Sequence, residues 1–237
     1  MQHQVVQIPL PVLILIASLI LYIFIPIIHS RSTIEPCSSS DSCTSLLHYI
    51  LPYDSKLSEI AYRFQVNISD ILGANNLNPK SLGNEIYEAK SALKVPISCS
   101  CVDGIRRYTT ATYAVRAADT TDSISEGFGG LVSAEQIETS NGINATNPLI
   151  SGQSLVIPLP CTCFGNVNNG IPTIYMSYVV KIEDNLASIA TEFGTTNKEL
   201  EAINGLGQPV VNPGDIVSIP ISASNCIKCV CGTQDLK

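Results

Sequence analysis

Nine cysteines are the residues of this 237-residue chain with the clearest capacity for chemistry. Six of them form an even set, at Cys37, Cys43, Cys99, Cys101, Cys161 and Cys163. The partners within a Cys-x-Cys pair rarely bond each other, because so small a ring strains the preferred disulfide geometry. Six cysteines allow fifteen pairings, and their spacing does not choose among them. Zinc is the alternative for the last three, Cys226, Cys229 and Cys231, but no histidine lies near them.

Three aspartates are the other candidates, since Asp54, Asp119 and Asp184 each stand directly before a predicted helix. A glycosidase needs two carboxylates that face each other across the scissile bond, one of them with a raised pKa. Equivalent aspartates in separate units do not suggest such a pair, so we predict that each caps its helix by accepting from a backbone N–H. His48 is the single histidine beyond residue 30, which argues against histidine-based catalysis. We therefore predict a protein without catalytic activity, with glycan hydrolysis as the alternative.

The elements that must position these residues occur three times along the chain. Pro96, Pro158 and Pro220 recur at intervals of 62 residues, as do the two Cys-x-Cys pairs. In the last copy an alternating apolar strand is followed by apolar residues at helical spacing, a second short amphipathic stretch, an Asn-Gly loop and a closing strand. Strand, helix, helix and strand in about forty residues predict two amphipathic helices over a two-stranded antiparallel sheet.

The predicted fold class is α+β, with three tandem βααβ modules. We place module 1 at residues 48–98, module 2 at 112–159 and module 3 at 177–221, followed by a cysteine-rich tail at 222–237. Phe64, Phe128 and Phe193 hold one helical position in each module and are predicted to lie in the core. Modules of this size are at the lower limit for an independent core, so additional covalent links are expected.

The first thirty residues indicate the compartment. Ile8 to Ile28 is an almost unbroken apolar run that ends before Arg31, and residues 1–30 resemble a secretory signal peptide cleaved near Ser30. The alternative is an uncleaved membrane anchor, since about twenty apolar residues can span a bilayer. In both cases the remainder faces an oxidising compartment, where cysteines form disulfides rather than zinc sites.

The layout of the repeat, and its residues in this order, resemble the LysM module, a family that binds glycans containing N-acetylglucosamine. Four stretches sharpen the likeness: 32–37, the block from Cys99 to Arg107, 130–137 and 154–161. They are similar to plant LysM proteins that a GPI anchor holds at the plasma membrane, and most similar to the peptidoglycan-sensing branch rather than the chitin-binding one. The resemblance covers about residues 32–223.

The resemblance carries several expectations. It implies disulfides between Cys37 and Cys101, Cys43 and Cys163, and Cys99 and Cys161. It also implies a pattern-recognition co-receptor of plant innate immunity that binds peptidoglycan, or alternatively chitin, and that signals through a LysM receptor kinase. No cofactor or metal is expected. A net charge of −7 argues against a nucleic-acid partner.

The end of the chain differs from the family. Its members continue into a second cysteine-rich region, a spacer and an apolar tail that is exchanged for the lipid, whereas this sequence ends at Lys237 without a GPI signal. We interpret the chain as a truncated or alternatively spliced form. Membrane association would then depend on the absent signal or on an uncleaved N-terminal segment, and a secreted soluble decoy is the alternative function.

In the LysM fold the glycan lies in a shallow groove between the loop after the first strand and the loop after the second helix. The candidate residues are Tyr53, Asp54, Asn75, Asn76 and Leu77 in module 1; Ala118, Asp119, Ile143, Asn144 and Leu149 in module 2; and Ile182, Glu183, Asp184, Gly205 and Leu206 in module 3. Loops rich in Asn, Gly and Pro suit turns that expose backbone groups to acetamido groups. The alternative is that they are ordinary connecting turns.

Two sequons add a further expectation. Asn67 and Asn144 each begin an Asn-x-Ser/Thr motif and are predicted glycosylation sites. Asn144 lies in a predicted ligand loop, so its glycan would obstruct the groove of module 2.

Overall fold

The computed structural model describes residues 35, 37–38, 41–102, 106–168 and 170–222. The predicted signal segment and the tail cysteines Cys226, Cys229 and Cys231 lie outside these described residues. Within the described ranges, no helix combines the length and apolar character that crossing a bilayer requires.

The described residues form nine strands and six α-helices. The strands are β1 (Ser42–Ile50), β2 (Ser55–Lys56), β3 (Ile86–Tyr87), β4 (Ala92–Val102), β5 (Arg106–Ala114), β6 (Ser154–Pro160), β7 (Val167–Asn168), β8 (Ile171–Val179) and β9 (Ile216–Ser222). The helices are α1 (Leu57–Phe64), α2 (Ile68–Ala74), α3 (Thr121–Gly127), α4 (Ala134–Asn141), α5 (Leu186–Phe193) and α6 (Asn197–Ile203).

Each predicted module is a strand, two helices and a closing strand. The strand pairs β1–β4, β5–β6 and β8–β9 are all antiparallel, and in the third pair Tyr178 lies opposite Val217. The α+β class and the three βααβ units are therefore confirmed. Module 1 has longer strands than its repeat pattern suggests, since β1 begins at Ser42 and β4 continues to Val102.

The three strand pairs join into one seven-stranded sheet, in the order β6-β5-β4-β1-β8-β7, with β9 paired to β8. Module 1 occupies the middle. Its β4 pairs antiparallel with β5 of module 2 between Ser100 and Val102, and its β1 runs parallel to β8, where Leu46 and Leu47 lie opposite Met176 and Ser177. Nothing in the local repeat predicted these junctions.

The helices bury their apolar residues in two clusters. Modules 1 and 2 share one core, in which the ring of Phe64 lies 4.9 Å from that of Tyr49 and 5.5 Å from that of Phe128. Module 3 has its own core, to which β1 contributes Leu46. Phe64 and Phe128 are buried as predicted, whereas Phe193 is partly buried and packs against the second core.

Three disulfides join distant parts of the chain, and the pairing implied by the family resemblance is confirmed. Cys37 bonds Cys101, Cys43 bonds Cys163, and Cys99 bonds Cys161, across sequence separations of 64, 120 and 62 residues. Links between residues so far apart restrict the unfolded chain strongly, and each is worth about 3–5 kcal/mol on a chain-entropy estimate.

A buried charge cluster reinforces the same region. The Arg107 side chain is 3% exposed, and its Nε lies 3.1 Å from a carboxylate oxygen of Glu35. Glu35 also accepts hydrogen bonds from the backbone N–H groups of Cys163 and Phe164, both at 2.6 Å. Arg107 therefore belongs to the interior, where its charge is paired.

Candidate functional site

The first loop of module 2 is organised by Asp119. Its Oδ2 accepts hydrogen bonds from the backbone N–H of Arg116 at 2.7 Å and from the hydroxyl of Tyr113 at 2.9 Å. Burial, together with the hydrogen bond to Asp119, raises the pKa of Tyr113 to about 12. The phenol therefore stays protonated and keeps donating to the carboxylate at physiological pH.

Module 3 repeats this arrangement around Asp184. The backbone N–H of Lys181 donates to Oδ2 at 2.8 Å, and the hydroxyl of Tyr178 donates at 2.7 Å. Burial raises the pKa of Tyr178, and the adjacent Asp184 raises it further. Modules 2 and 3 therefore present first loops with the same internal support.

Module 1 differs at both positions. Asp54 accepts instead from the backbone N–H of Ala89 at 2.8 Å. Tyr49, which occupies the place of Tyr113 and Tyr178 in the repeat, donates its hydroxyl to the carbonyl of Gly127 in module 2 at 3.0 Å. The tyrosine that supports a loop in the other modules thus joins two modules here.

The prediction that the aspartates cap their helices is wrong. The residue after each aspartate caps the helix in modules 2 and 3: Thr120 Oγ1 accepts from Ser123 N at 3.0 Å, and Asn185 Oδ1 accepts from Ser188 N at 3.0 Å. In module 1 the helix begins after Lys56, whose N–H donates to Glu59 at 3.0 Å. The carboxylates of Asp119 and Asp184 instead turn back toward the end of the first strand, and that of Asp54 contacts the segment before β4.

The second loops begin at an asparagine whose structural role the repeat pattern did not predict. Asn75, Asn141 and Asn204 each donate Nδ2 to a helix carbonyl and to a carbonyl of the closing strand, and each accepts from that strand's N–H. The strand residues are Lys94, Val156 and Ser218, with donor–acceptor distances of 2.7–2.9 Å. We call this arrangement the asparagine clamp. The sequence does contain a signal for this clamp, because an asparagine recurs at the end of the second helix in all three modules.

The clamp limits what Asn75 offers to a ligand. Both polar atoms of its side chain are engaged by Lys94 and the helix, so Asn75 remains a candidate only through its backbone. The next residue adopts a left-handed conformation in every module, with φ of 53° at Asn76, 63° at Gly142 and 57° at Gly205. This shared turn gives the three second loops the same starting direction.

The candidate residues differ in accessibility. Ile182 is 88% exposed, and Glu183 and Gly205 of the same module are also exposed. Leu77, Ile143, Leu149 and Leu206 are partly buried and pack against the cores, so each offers a ligand only part of its side chain. Ala118 is exposed with a φ of 69°, a strained value for a residue with a Cβ.

Three stretches of the chain match the family model described as LysM domain: residues 56–82, 113–158 and 178–220. The chain is a LysM-domain protein. It is 48% identical to the LysM domain-containing GPI-anchored protein 1 of Arabidopsis thaliana over 82% of this chain and 47% of that protein. It is 40% identical to the LysM domain-containing GPI-anchored protein LYP6 of Oryza sativa subsp. japonica over 87% of this chain and 58% of that protein.

The likeness extends to a solved structure, the ectodomain of a receptor like kinase. The two superpose with a TM-score of 0.65 at 25% identity, over 78% of this chain and 94% of that one. The LysM chain spans about half the length of the curated relatives it matches.

Tyr53, the proposed aromatic contact of the first LysM domain, is 47% exposed. Its hydroxyl accepts from Arg63 Nη2 at 2.6 Å, and the guanidinium carbon lies 5.2 Å from the ring centroid. The ring is therefore held in place while about half of the side chain remains accessible.

The two sequons of the LysM chain are both exposed. Asn67 precedes α2, and Asn144 lies in the second loop of module 2, where its Oδ1 accepts from the backbone N–H and the hydroxyl of Thr146 at 2.9 and 2.6 Å. The hydroxyl that the sequon requires thus contacts the asparagine itself.

The cysteine sulfurs of the LysM chain include one close group. The sulfurs of Cys43, Cys99 and Cys163 lie within 4.8 Å of one another. All three belong to disulfides, so they do not act as thiolate ligands for a metal.

Proposed function

We propose that this LysM protein binds glycans containing N-acetylglucosamine, with peptidoglycan as the preferred polymer, and that it does so without cleaving them. The observation that carries this proposal is the matched pair of loops in each module. The first loop is held by an aspartate in modules 2 and 3, and the second starts from the asparagine clamp. Hydrogen bonds hold the backbone of both loops in place while some of their polar and apolar groups stay exposed. Such an arrangement suits a shallow sugar site.

We further propose that the protein acts outside the cell as a pattern-recognition co-receptor, at the outer face of the plasma membrane. The similarity to proteins named as GPI-anchored supports this location. A LysM receptor kinase is the proposed signalling partner, supported by the similarity to the ectodomain of a receptor like kinase. Single shallow grooves bind sugars weakly, so several modules engaging one polymer would supply the avidity.

Module 3 is the best place to test the groove, because its loops contain the most exposed apolar candidate. We expect Ile182→Asp to weaken binding to insoluble peptidoglycan, since it replaces an apolar contact for a sugar ring with a charge. Leu82→Asp is the matched control, because Leu82 is 83% exposed and lies outside the proposed loops.

The experiment is a pull-down of the wild type and both variants on peptidoglycan and on chitin side by side. Stronger capture by chitin would favour the chitin-binding alternative. Failure of the wild type to bind either polymer would overturn the proposed function. Analysis of the supernatant for released fragments tests the absence of hydrolysis.

A further inference from the structure

A cleft of about 520 Å³ opens between module 1 and module 2. One side is formed by α1 with Tyr53, and the other by the end of β5 and the two residues that follow it, Val115 and Arg116. The cleft therefore lies between two LysM domains, whereas the proposed grooves lie within single domains. Its volume is in the range of small-molecule sites in proteins.

Two tyrosine rings give the cleft a surface for sugar rings. Tyr62 is 78% exposed and Tyr53 is 47% exposed, although both are large and partly apolar side chains. Tyr53 is held by Arg63, which also donates from Nη1 to the carbonyl of Gly127 in module 2 at 2.8 Å. The ring of Tyr53 is thus fixed relative to both modules before a ligand arrives.

The charge of the cleft is opposite to that of the whole chain. Two guanidinium groups, of Arg63 and Arg116, line it together with a single carboxylate, of Glu59, in a chain of net charge −7. Among the described residues, the side chain of Arg116 has neither a hydrogen-bond partner nor an ion-pair partner. Glu59 is already engaged, since it accepts from the N–H of Lys56 at 3.0 Å.

We propose that this cleft is a second glycan site, selective for a sugar that carries a carboxylate. The free guanidinium of Arg116 pairs with the carboxylate, because a planar guanidinium matches that group with two parallel hydrogen bonds. Tyr62 and Tyr53 contact the faces of the sugar rings. The inference rests on the proposed function, because it takes the ligand to be a glycan. Peptidoglycan contains an acidic sugar and chitin does not, so a site for the carboxylate would distinguish the two polymers.

The test compares two monosaccharides that differ in this group, N-acetylmuramic acid and N-acetylglucosamine. The full chain, with its disulfides formed and its tyrosine rings isotope-labelled, is titrated with each sugar by NMR. We expect N-acetylmuramic acid to shift the signals of Tyr53 and Tyr62 and to bind them roughly tenfold more tightly than the neutral sugar, since a hydrogen bond to a charged group is worth that much. Equal affinity at these two rings would overturn the inference.

Substitutions identify the responsible cation. Arg116→Gln should remove the preference for the acidic sugar, because the variant keeps a polar side chain without the charge. Lys198→Gln is the matched control, since Lys198 is an exposed cation on α6, away from the cleft lining. An equal loss in both variants would mean that net charge alone attracts the sugar, which contradicts a defined site. Tyr62→Ala should weaken the binding of both sugars at the cleft.

The methyl signals of Ile182 and Leu206 separate the two proposals. Tyr53 is also a candidate of the module 1 groove, so the signal of Tyr62 reports the cleft. If N-acetylmuramic acid shifts the Ile182 and Leu206 signals but not that of Tyr62, the cleft is not a site and the proposed groove stands. If the Tyr62 signal shifts while peptidoglycan and chitin leave the Ile182 and Leu206 signals unchanged, the proposed groove is wrong and the cleft stands.

Discussion

Asn204 and Ser218 are joined by two hydrogen bonds that complete the edge of the sheet. Asn204 Nδ2 donates to the carbonyl of Ser218 at 2.9 Å, and Asn204 Oδ1 accepts from the N–H of Ser218 at 2.7 Å. Within the described residues β9 pairs only with β8, so the side chain satisfies backbone groups that another strand would otherwise bind. Asn141 does the same for Val156 of β6 at the opposite edge.

We expect Asn204→Ala to lower the free energy of unfolding by about 2–4 kcal/mol. The substitution removes both bonds to Ser218 and a third to the carbonyl of Leu200, and it leaves buried backbone groups without partners. Urea denaturation measures the change. Asn197→Ala, at an exposed position of α6, is the control and should stay within about 0.5 kcal/mol of the wild type. A loss below about 1 kcal/mol for Asn204→Ala would contradict the stabilising role of the clamp.

The stability of the protein should depend on pH through His48. The imidazole is buried between Tyr178 and Phe193, with ring centroids 4.9 and 5.6 Å away. Burial, and after it the charges of Lys181 and Lys94, lower the pKa of His48 to about 4, with Asp184 opposing them. Between pH 6.5 and 4 the unfolded chain therefore binds a proton that the folded chain does not.

The sign of the effect follows from this difference in proton binding. The contribution of His48 is complete above pH 6.5 and is lost as the pH falls toward 4, by up to about 3 kcal/mol. Urea midpoints measured from pH 7.5 to about 4 test this expectation. His48→Gln removes the titrating group, so its stability should fall less steeply over the same interval. Identical slopes for the two proteins would rule out His48 as the cause.

Glu35 and Asp41 both contact Arg107 but should contribute very differently. The side chain of Glu35 is 7% exposed and that of Asp41 is 51% exposed. Glu35→Ala removes the buried carboxylate beside a buried guanidinium and leaves the N–H groups of Cys163 and Phe164 without this acceptor, so we expect a loss of about 3–5 kcal/mol. Asp41→Ala removes a half-exposed carboxylate and leaves the buried contact between Arg107 and Glu35 in place, so we expect about 1 kcal/mol or less. Chemical denaturation of the two variants gives the comparison, and equal losses would contradict it.

Glycosylation of Asn144 should weaken ligand binding by module 2. We expect Asn144→Gln to bind peptidoglycan or chitin fragments at least about threefold more tightly than the glycosylated wild type, because an unobstructed groove adds one more contact to the same polymer. Asn67→Gln is the control, since Asn67 carries the other sequon and precedes α2, outside the proposed grooves. Calorimetric titration measures both. Equal affinities for the wild type and Asn144→Gln would count against an obstructing glycan.

Much of the local structure could be predicted from the sequence. Apolar residues at helical spacing, such as Leu186, Ile189 and Ala190, predicted a buried helix face, and all three are buried. The disulfide partners came from the family resemblance, since spacing alone allowed every pairing. Helix capping was predicted wrongly because aspartate and the residue after it, such as Asp119 and Thr120, are both good caps. Only the backbone conformation decides which of them stands at the helix start.

The sequence by itself determined the three βααβ units, because hydrophobic periodicity and turn residues act over a few neighbouring positions. The tertiary structure alone decided how those units meet: β4 beside β5, β1 parallel to β8, and Tyr49 bonded to Gly127 instead of supporting its own loop. Every strand offers the same backbone donors and acceptors, so no short stretch of sequence specifies which edges pair. That choice, and the cleft it creates between modules 1 and 2, depends on packing the whole chain at once.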